Sequence, residues 1–135
     1  MAIATMSERQ ARQSFGFRGQ RRKNKYNARK VTYDDHQFDS IAECNRYKEL
    51  TYMLRTGEIE NLILQPRFEI LPAFVRGGQK FRKMEYVADF QYKTKASGEI
   101  ITEDVKSPVT KENSVYKLKK KLLFFHFPHI NFKEI

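Results

Sequence analysis

Asp89, Asp104 and Lys106 are the side chains whose types and spacing can do chemistry together. Met84 to Tyr92 and Glu99 to Lys106 read as strands, and Ala96-Ser97-Gly98 between them marks a hairpin turn. With Lys95–Gly98 as a four-residue loop, Thr94 faces Glu99. The same register carried outward sets Asp89 directly opposite Asp104. Opposed residues of an antiparallel pair hold their Cβ atoms about 4.5–5.5 Å apart on one face. Lys106, two residues past Asp104, shares that face, whereas alternation turns Glu103 to the other. Like charges directly opposed destabilise a sheet unless something neutralises them. A divalent cation does so, and oxygen donors suit Mg²⁺ or Mn²⁺. The structural alternative is an exposed face on which Lys106 screens the two acids.

Other elements must position these groups. Val31 and Tyr33 suit a short strand before an Asp34-Asp35 turn, and Ser40 with Glu43 has the spacing of a capping box. The helix that follows runs to about Arg55, stops at Gly57, and carries Tyr47, Leu50 and Leu54 on one face together with Glu43. Asn61 to Leu71 alternates, with Leu62, Leu64, Phe68 and Ile70 on one side, although Pro66 argues for an edge or a bulge. Pro72 to Lys80 reads as a connector with a tight turn at Gly77-Gly78. A second helix starts at Asn113 or Ser114 and ends before Pro128. Val115, Leu118, Leu122 and Phe125 form its apolar stripe, and Lys117, Lys120 and Lys121 cluster away from it. Ile130 to Ile135 alternates as a last strand. The expected order is α-β-β-β-α-β, an α/β (α+β) mixed sheet with flanking helices.

Length and composition bound the alternatives. A chain of 135 residues with 40% hydrophobic content supports one packed domain, or one domain with a tail. Cys44 stands alone, which excludes an internal disulfide, and neither a secretory signal nor a membrane span is legible. The expected location is therefore intracellular and cytoplasmic. Residues 1–30 hold nine basic residues and one acid, and residues 31–135 hold seventeen basic and fifteen acidic. The division is thus a flexible basic arm over 1–30, with Arg21, Arg22, Lys23 and Lys25 at its densest, and a nearly neutral domain over 31–135. Such asymmetry points to a polyanion, nucleic acid before membrane.

Val87-Ala88-Asp89-Phe90 followed by Glu103-Asp104-Val105-Lys106 resembles the motif of the PD-(D/E)xK nuclease superfamily. The element order resembles that superfamily's restriction-endonuclease-like core. Phe38-Asp39-Ser40 with Glu43, Gln65-Pro66, Ala88-Asp89-Phe90, Glu103–Lys106 and the Lys-rich helix are together similar to a small phage-borne family grouped with these nucleases. The chain departs from the superfamily name in two places, with Ala88 where Pro is expected and Asp104 where Glu is commoner.

The resemblance implies a metal-dependent DNA endonuclease. Asp89 and Asp104 would hold Mg²⁺ or Mn²⁺, Lys106 would act on the attacking water, Glu43 would complete the acidic shell, and Gln65 would be an auxiliary polar residue. The arm and Lys117, Lys120 and Lys121 would hold the phosphate backbone. In a phage context the substrate expected is a recombination intermediate such as a Holliday junction, and symmetric cutting would call for a homodimer. The location would then be the host cytoplasm. Two other classes stay open: a non-catalytic DNA-binding module on the same core, and an adaptor in phage assembly.

Overall fold

The computed structural model describes residues 30–135; the basic segment with Arg21, Arg22, Lys23 and Lys25 lies outside the described residues. The architecture is mixed α+β. A short hairpin of β1 (Val31–Tyr33) and β2 (His36–Phe38) leads into α1 (Ile41–Thr56). Ser40 caps α1, its hydroxyl accepting from the Glu43 N–H at 3.1 Å, while the Glu43 carboxylate accepts from the Asp39 N–H at 3.3 Å. The reciprocal cap therefore forms, reaching one residue further back than the usual box. Gly57, at φ 81°, closes the helix through its N–H to Leu54, a conformation open to glycine at little cost.

Seven strands follow before the next helix, the first six being β3 (Ile59–Leu64), β4 (Arg67–Leu71), β5 (Phe74–Arg76), β6 (Gln79–Phe81), β7 (Met84–Val87) and β8 (Phe90–Thr94). Then come β9 (Ile100–Asp104), a one-turn α2 (Pro108–Lys111), α3 (Ser114–His126) and β10 (Asn131–Glu134). The central sheet has the order β10-β9-β8-β3, with β10 parallel to β9 and the other pairs antiparallel. The parallel pair requires a crossover, which α2 and α3 supply.

The long strands expected over 61–71 and 84–92 are each broken once, at the same level. β3 gives way to β4 at Gln65-Pro66, and β7 to β8 at Ala88-Asp89. Backbone bonds bridge the break, from the Gln65 N–H to the Asp89 carbonyl at 2.9 Å and from the Ala88 N–H to the Pro66 carbonyl at 3.1 Å. The break hands each strand from one core to the other. Phe90 and Tyr92 pack beneath α1 with Phe38, Tyr47, Leu50 and Ile59, and Leu62 and Leu64 join them. Tyr86 and Ala88 pack with Ile70, Tyr116 and Leu123, and Phe68 joins that second core. Leu62, Leu64, Phe68 and Ile70 thus do not share one side, because the irregular residues at 65–66 reverse the alternation.

Two further expectations are corrected. Residues 72–80 are not a plain connector: they contain most of a hairpin, Phe74↔Phe81 and Arg76↔Gln79 flanking Gly77-Gly78. On α3 the buried residues are Tyr116 and Leu123, whereas Val115, Leu118 and Phe125 are exposed. Tyr116 wins its buried place because its hydroxyl finds Glu134 at 2.7 Å, satisfying the polar end of the ring. Among the described residues no helix is long and apolar enough to cross a membrane.

Candidate active site

The hairpin register agrees with the sequence reading through Phe90↔Glu103, and the Thr94 N–H meets the Glu99 carbonyl at 2.9 Å. Beyond that point it departs. The Asp89 N–H also donates to the Glu103 carbonyl, at 3.1 Å, so Asp89 and Phe90 both address one residue. Asp89 therefore stands on a bulge, not on a regular ladder position opposite Asp104. A bulge re-aims the side chain it carries, and here the Asp89 carboxylate turns to accept the Val105 N–H at 2.7 Å, beside Asp104.

Asp104 ends β9 and is fully buried. Its Oδ2 accepts from the Tyr86 hydroxyl. Its Oδ1 has no hydrogen-bond donor, and Lys106 Nζ stands 3.1 Å from it as an ion-pair partner outside hydrogen-bond geometry. Burial pushes the Asp89 carboxyl well above the ordinary carboxylate range, helped by the Asp104 charge and opposed by the Val105 N–H. For Lys106 burial works to lower the ammonium, but the charges of Asp104, Asp89 and Glu43 outweigh it and hold the group protonated. Glu43, buried at the start of α1, is likewise raised, first by burial.

A cleft of about 450 Å³ is lined by Glu43, Asp89, Lys106, Ser107 and Thr110. A second, of about 320 Å³, lies on the other side of Lys106 and is lined by Asp104, Tyr86, Tyr116, Asn113 and Lys119. Lys106 and Thr110 form the wall between them. The fold thus brings together Asp89, Asp104 and Lys106, with Glu43 at the rim. Gln65 faces an adjoining smaller cleft with Glu43 and His36, and reaches Asp89 through its backbone only. Among the described residues no group of three or more Asp, Glu, His or Cys side chains forms a ready metal cage.

The helix lysines divide. Lys120 is committed to Glu134 at 2.6 Å and Lys117 to the exposed Glu112 at 2.9 Å, while Lys121 is exposed. None of the three lines the two main clefts; Lys119 does. The sequence reading missed Tyr86 and Lys119. Tyr86 meets Asp104 through its hydroxyl, and Lys119, one turn after Tyr116, lines the same cleft.

Glu103, adjacent to Asp104, belongs to the opposite face as alternation requires. The Arg46 guanidinium grips it at 2.8 and 2.5 Å and the Tyr92 hydroxyl donates at 2.6 Å. It is a satisfied structural acid joining α1 to the sheet.

The family DUF1064, described as a protein of unknown function, matches residues 23–135. The chain belongs to that family. No curated protein and no solved structure matches the sequence. The DUF1064 match takes in every residue of the site, together with Lys23 and Lys25 of the basic segment.

Proposed function

We propose that this chain is a metal-dependent DNA endonuclease with a PD-(D/E)xK site on a restriction-endonuclease-like core, preceded by a basic arm. The observation that carries the reading is the meeting of Asp89, Asp104 and Lys106 where both long strands break, with Glu43 beside them. The donor set fits a hard divalent cation, Mg²⁺ or Mn²⁺. All donors are carboxylate oxygens, and the buried Asp104 Oδ1 lacks a hydrogen-bond donor. Asp89 and Asp104 would hold the ion, with Glu43 as a further acid. When bound, it would supply Lewis-acid neutralisation of phosphate charge and acidify water.

The chain's own groups have separable parts in the reaction. Tyr86 fixes one oxygen of Asp104, leaving the other available. The Val105 N–H fixes Asp89 in the same way. Lys106 keeps its proton and sets a positive charge beside the reacting phosphate, where it favours the transition state over the ground state. Phosphate backbone contacts would come from the basic arm, from Lys119 and from Lys121. The site faces DNA in the cytoplasm, of the host cell if the chain is phage-encoded. A four-way junction is the substrate form to try first, cut by a homodimer.

The deciding experiment incubates wild type and Asp104→Ala with linear, single-stranded and four-way-junction DNA in Mg²⁺ or Mn²⁺. Cleavage by wild type alone supports the assignment; equal cleavage by both refutes it. A second reading, a non-catalytic DNA-binding module, is favoured by one observation: Lys106 already neutralises Asp104, and among the described residues no three acids are grouped to hold a metal. It expects DNA binding without cleavage and no saturable Mn²⁺ uptake in calorimetry.

A further inference from the structure

The β5–β6 hairpin carries apolar and cationic surface that the two cores do not use. Every residue of both strands is exposed, and no other helix or strand of the described chain packs against it. Phe74 and Phe81 pair across the strands with rings stacked at 4.7 Å and 11°, yet they remain 43% and 38% exposed. Val75 on the other face is 64% exposed. Arg76 lies on the rings' face, Lys80 stands opposite Val75 on the other, and Arg82 and Lys83 follow β6, with no acid between Leu71 and Met84. Lys83 is paired with Glu85, which leaves Arg76, Lys80 and Arg82 as the cations of the hairpin itself. The tip is Gly77-Gly78, at φ 56° and 75°, and nothing lies within 4 Å of where a Cβ would stand on either. That is the backbone of a tight two-residue turn projecting into open space.

An isolated two-stranded ribbon that shows two aromatic rings to water is marginal unless something covers it. The charge pattern says what covers it. Three cations without an acid repel another basic surface and suit a polyanion. The ribbon also matches one geometrically, because a two-stranded ribbon enters the major groove of duplex DNA, about 12 Å wide.

We propose that β5–β6 is a DNA-binding finger that seats in a groove of the duplex, with Arg76, Lys80 and Arg82 on phosphates and Phe74 and Phe81 against bases or sugars. β5 and β6 continue the chain from β4 and into β7, the two strands that meet the break holding Asp89. Seating the finger thereby fixes where along the groove the Asp89–Asp104 site meets a phosphate. The inference rests on the chain acting on DNA and not on whether it cuts.

The test is fluorescence anisotropy of the full chain with a labelled duplex in EDTA, across a salt series. Replacing Arg76, Lys80 and Arg82 together with Ala is expected to weaken binding by at least about tenfold. It should also flatten the slope of log affinity against log salt by about 2–3, at roughly 0.9 per phosphate contact. Phe74→Ala with Phe81→Ala is expected to cost about tenfold with the salt slope retained, as apolar contact in the groove is lost and charge is not. Circular dichroism checks that each variant keeps its fold. A second probe, a chain in which Gly-Ser replaces residues 72–82, should behave as the sum of the two.

Wild-type affinity and slope in all three variants overturn the finger, as does a wild-type chain that binds no duplex. A change in sedimentation with DNA affinity intact overturns it too, and makes the surface a contact between copies. The binding series is read in EDTA, where nothing is cut, so its failure concerns the finger, while the cleavage assay decides the site.

Discussion

Replacing Asp89 with Asn should stabilise the metal-free protein while abolishing its response to metal. In the fold Asp89 is packed against a second, fully buried carboxylate, and its ionisation is opposed first by burial and then by the Asp104 charge. Its acidity is shifted from an ordinary 3.8 to about 8, so the folded chain binds a proton that the unfolded chain has released across that range. Stability from this group therefore falls as pH rises from about 4 through about 8. Lys106 is raised too, but its contribution is complete below its ordinary value of 10.5 and is flat over this window.

The amide of Asp89→Asn would still accept the Val105 N–H and would offer a donor to Asp104 Oδ1, which has none. Supplying a donor to a buried acceptor is worth about 1–3 kcal/mol. For a domain of about 100 residues that raises Tm by about 4–8 °C per kcal/mol. The assay is thermal unfolding by circular dichroism in EDTA. Asp89→Asn should melt higher than wild type near pH 8, and the gap should narrow toward pH 5, where wild-type Asp89 is protonated. Mn²⁺ at pH 8 should then raise the wild-type Tm and leave the variant unmoved; saturation at a hundred times Kd corresponds to about 2.7 kcal/mol. A variant that melts lower at pH 8, or a gap independent of pH, would refute the reasoning.

Other perturbations have different signs. Arg46→Ala strands the buried Glu103 charge and should cost about 3–5 kcal/mol in urea unfolding; the double change Arg46→Ala with Glu103→Gln should recover part of that. Tyr86→Phe removes the donor to Asp104 Oδ2 and should cost about 1–3 kcal/mol, with metal affinity in calorimetry reduced as the carboxylate loses its orientation. Lys106→Met keeps the stem and removes the charge. On the nuclease reading it should retain Mn²⁺ binding and lose cleavage by roughly a hundredfold or more. Ser40→Ala uncaps α1 and should lower stability by about 0.5–2 kcal/mol, read from chemical denaturation.

The parts of the fold legible in the sequence are those fixed by local chemistry. Ser40 and Gly57 bracket α1 because a capping hydroxyl and a left-handed glycine act within one turn. The β8–β9 register was legible because Ala96-Ser97-Gly98 allows few loop lengths. What stayed hidden depends on distant packing. Leu62, Leu64, Phe68 and Ile70 keep one parity across Pro66, as do Tyr86, Ala88, Phe90 and Tyr92 across Asp89. Periodicity reads each series as one face, although two cores on opposite sides of the sheet divide it. On α3, Val115, Leu118, Leu122 and Phe125 make the more apolar stripe. Tyr116 and Leu123 are buried instead, because β10 supplies Glu134 to Tyr116.

The adjacent acids Glu103 and Asp104 show why a site can be legible in residue identity and still need the fold for its chemistry. Both are buried on the central strand β9, one on each face. Glu103 receives a two-pronged guanidinium and a phenol, so its oxygens are satisfied and its charge is compensated. Asp104 receives a phenol on one oxygen and only an ion-pair approach on the other, with a second carboxylate beside it. Folding alone would favour treating the two alike, since an undonated buried oxygen costs stability. The deficit sits at the strand break, against two clefts and next to a lysine held protonated, where a cation would relieve it. Stability is given up at Asp104 and recovered at Glu103, one residue away on the far face. That asymmetry, more than the D…DxK spacing that points to it, is the physical reason for proposing Asp89, Asp104 and Lys106 as the site.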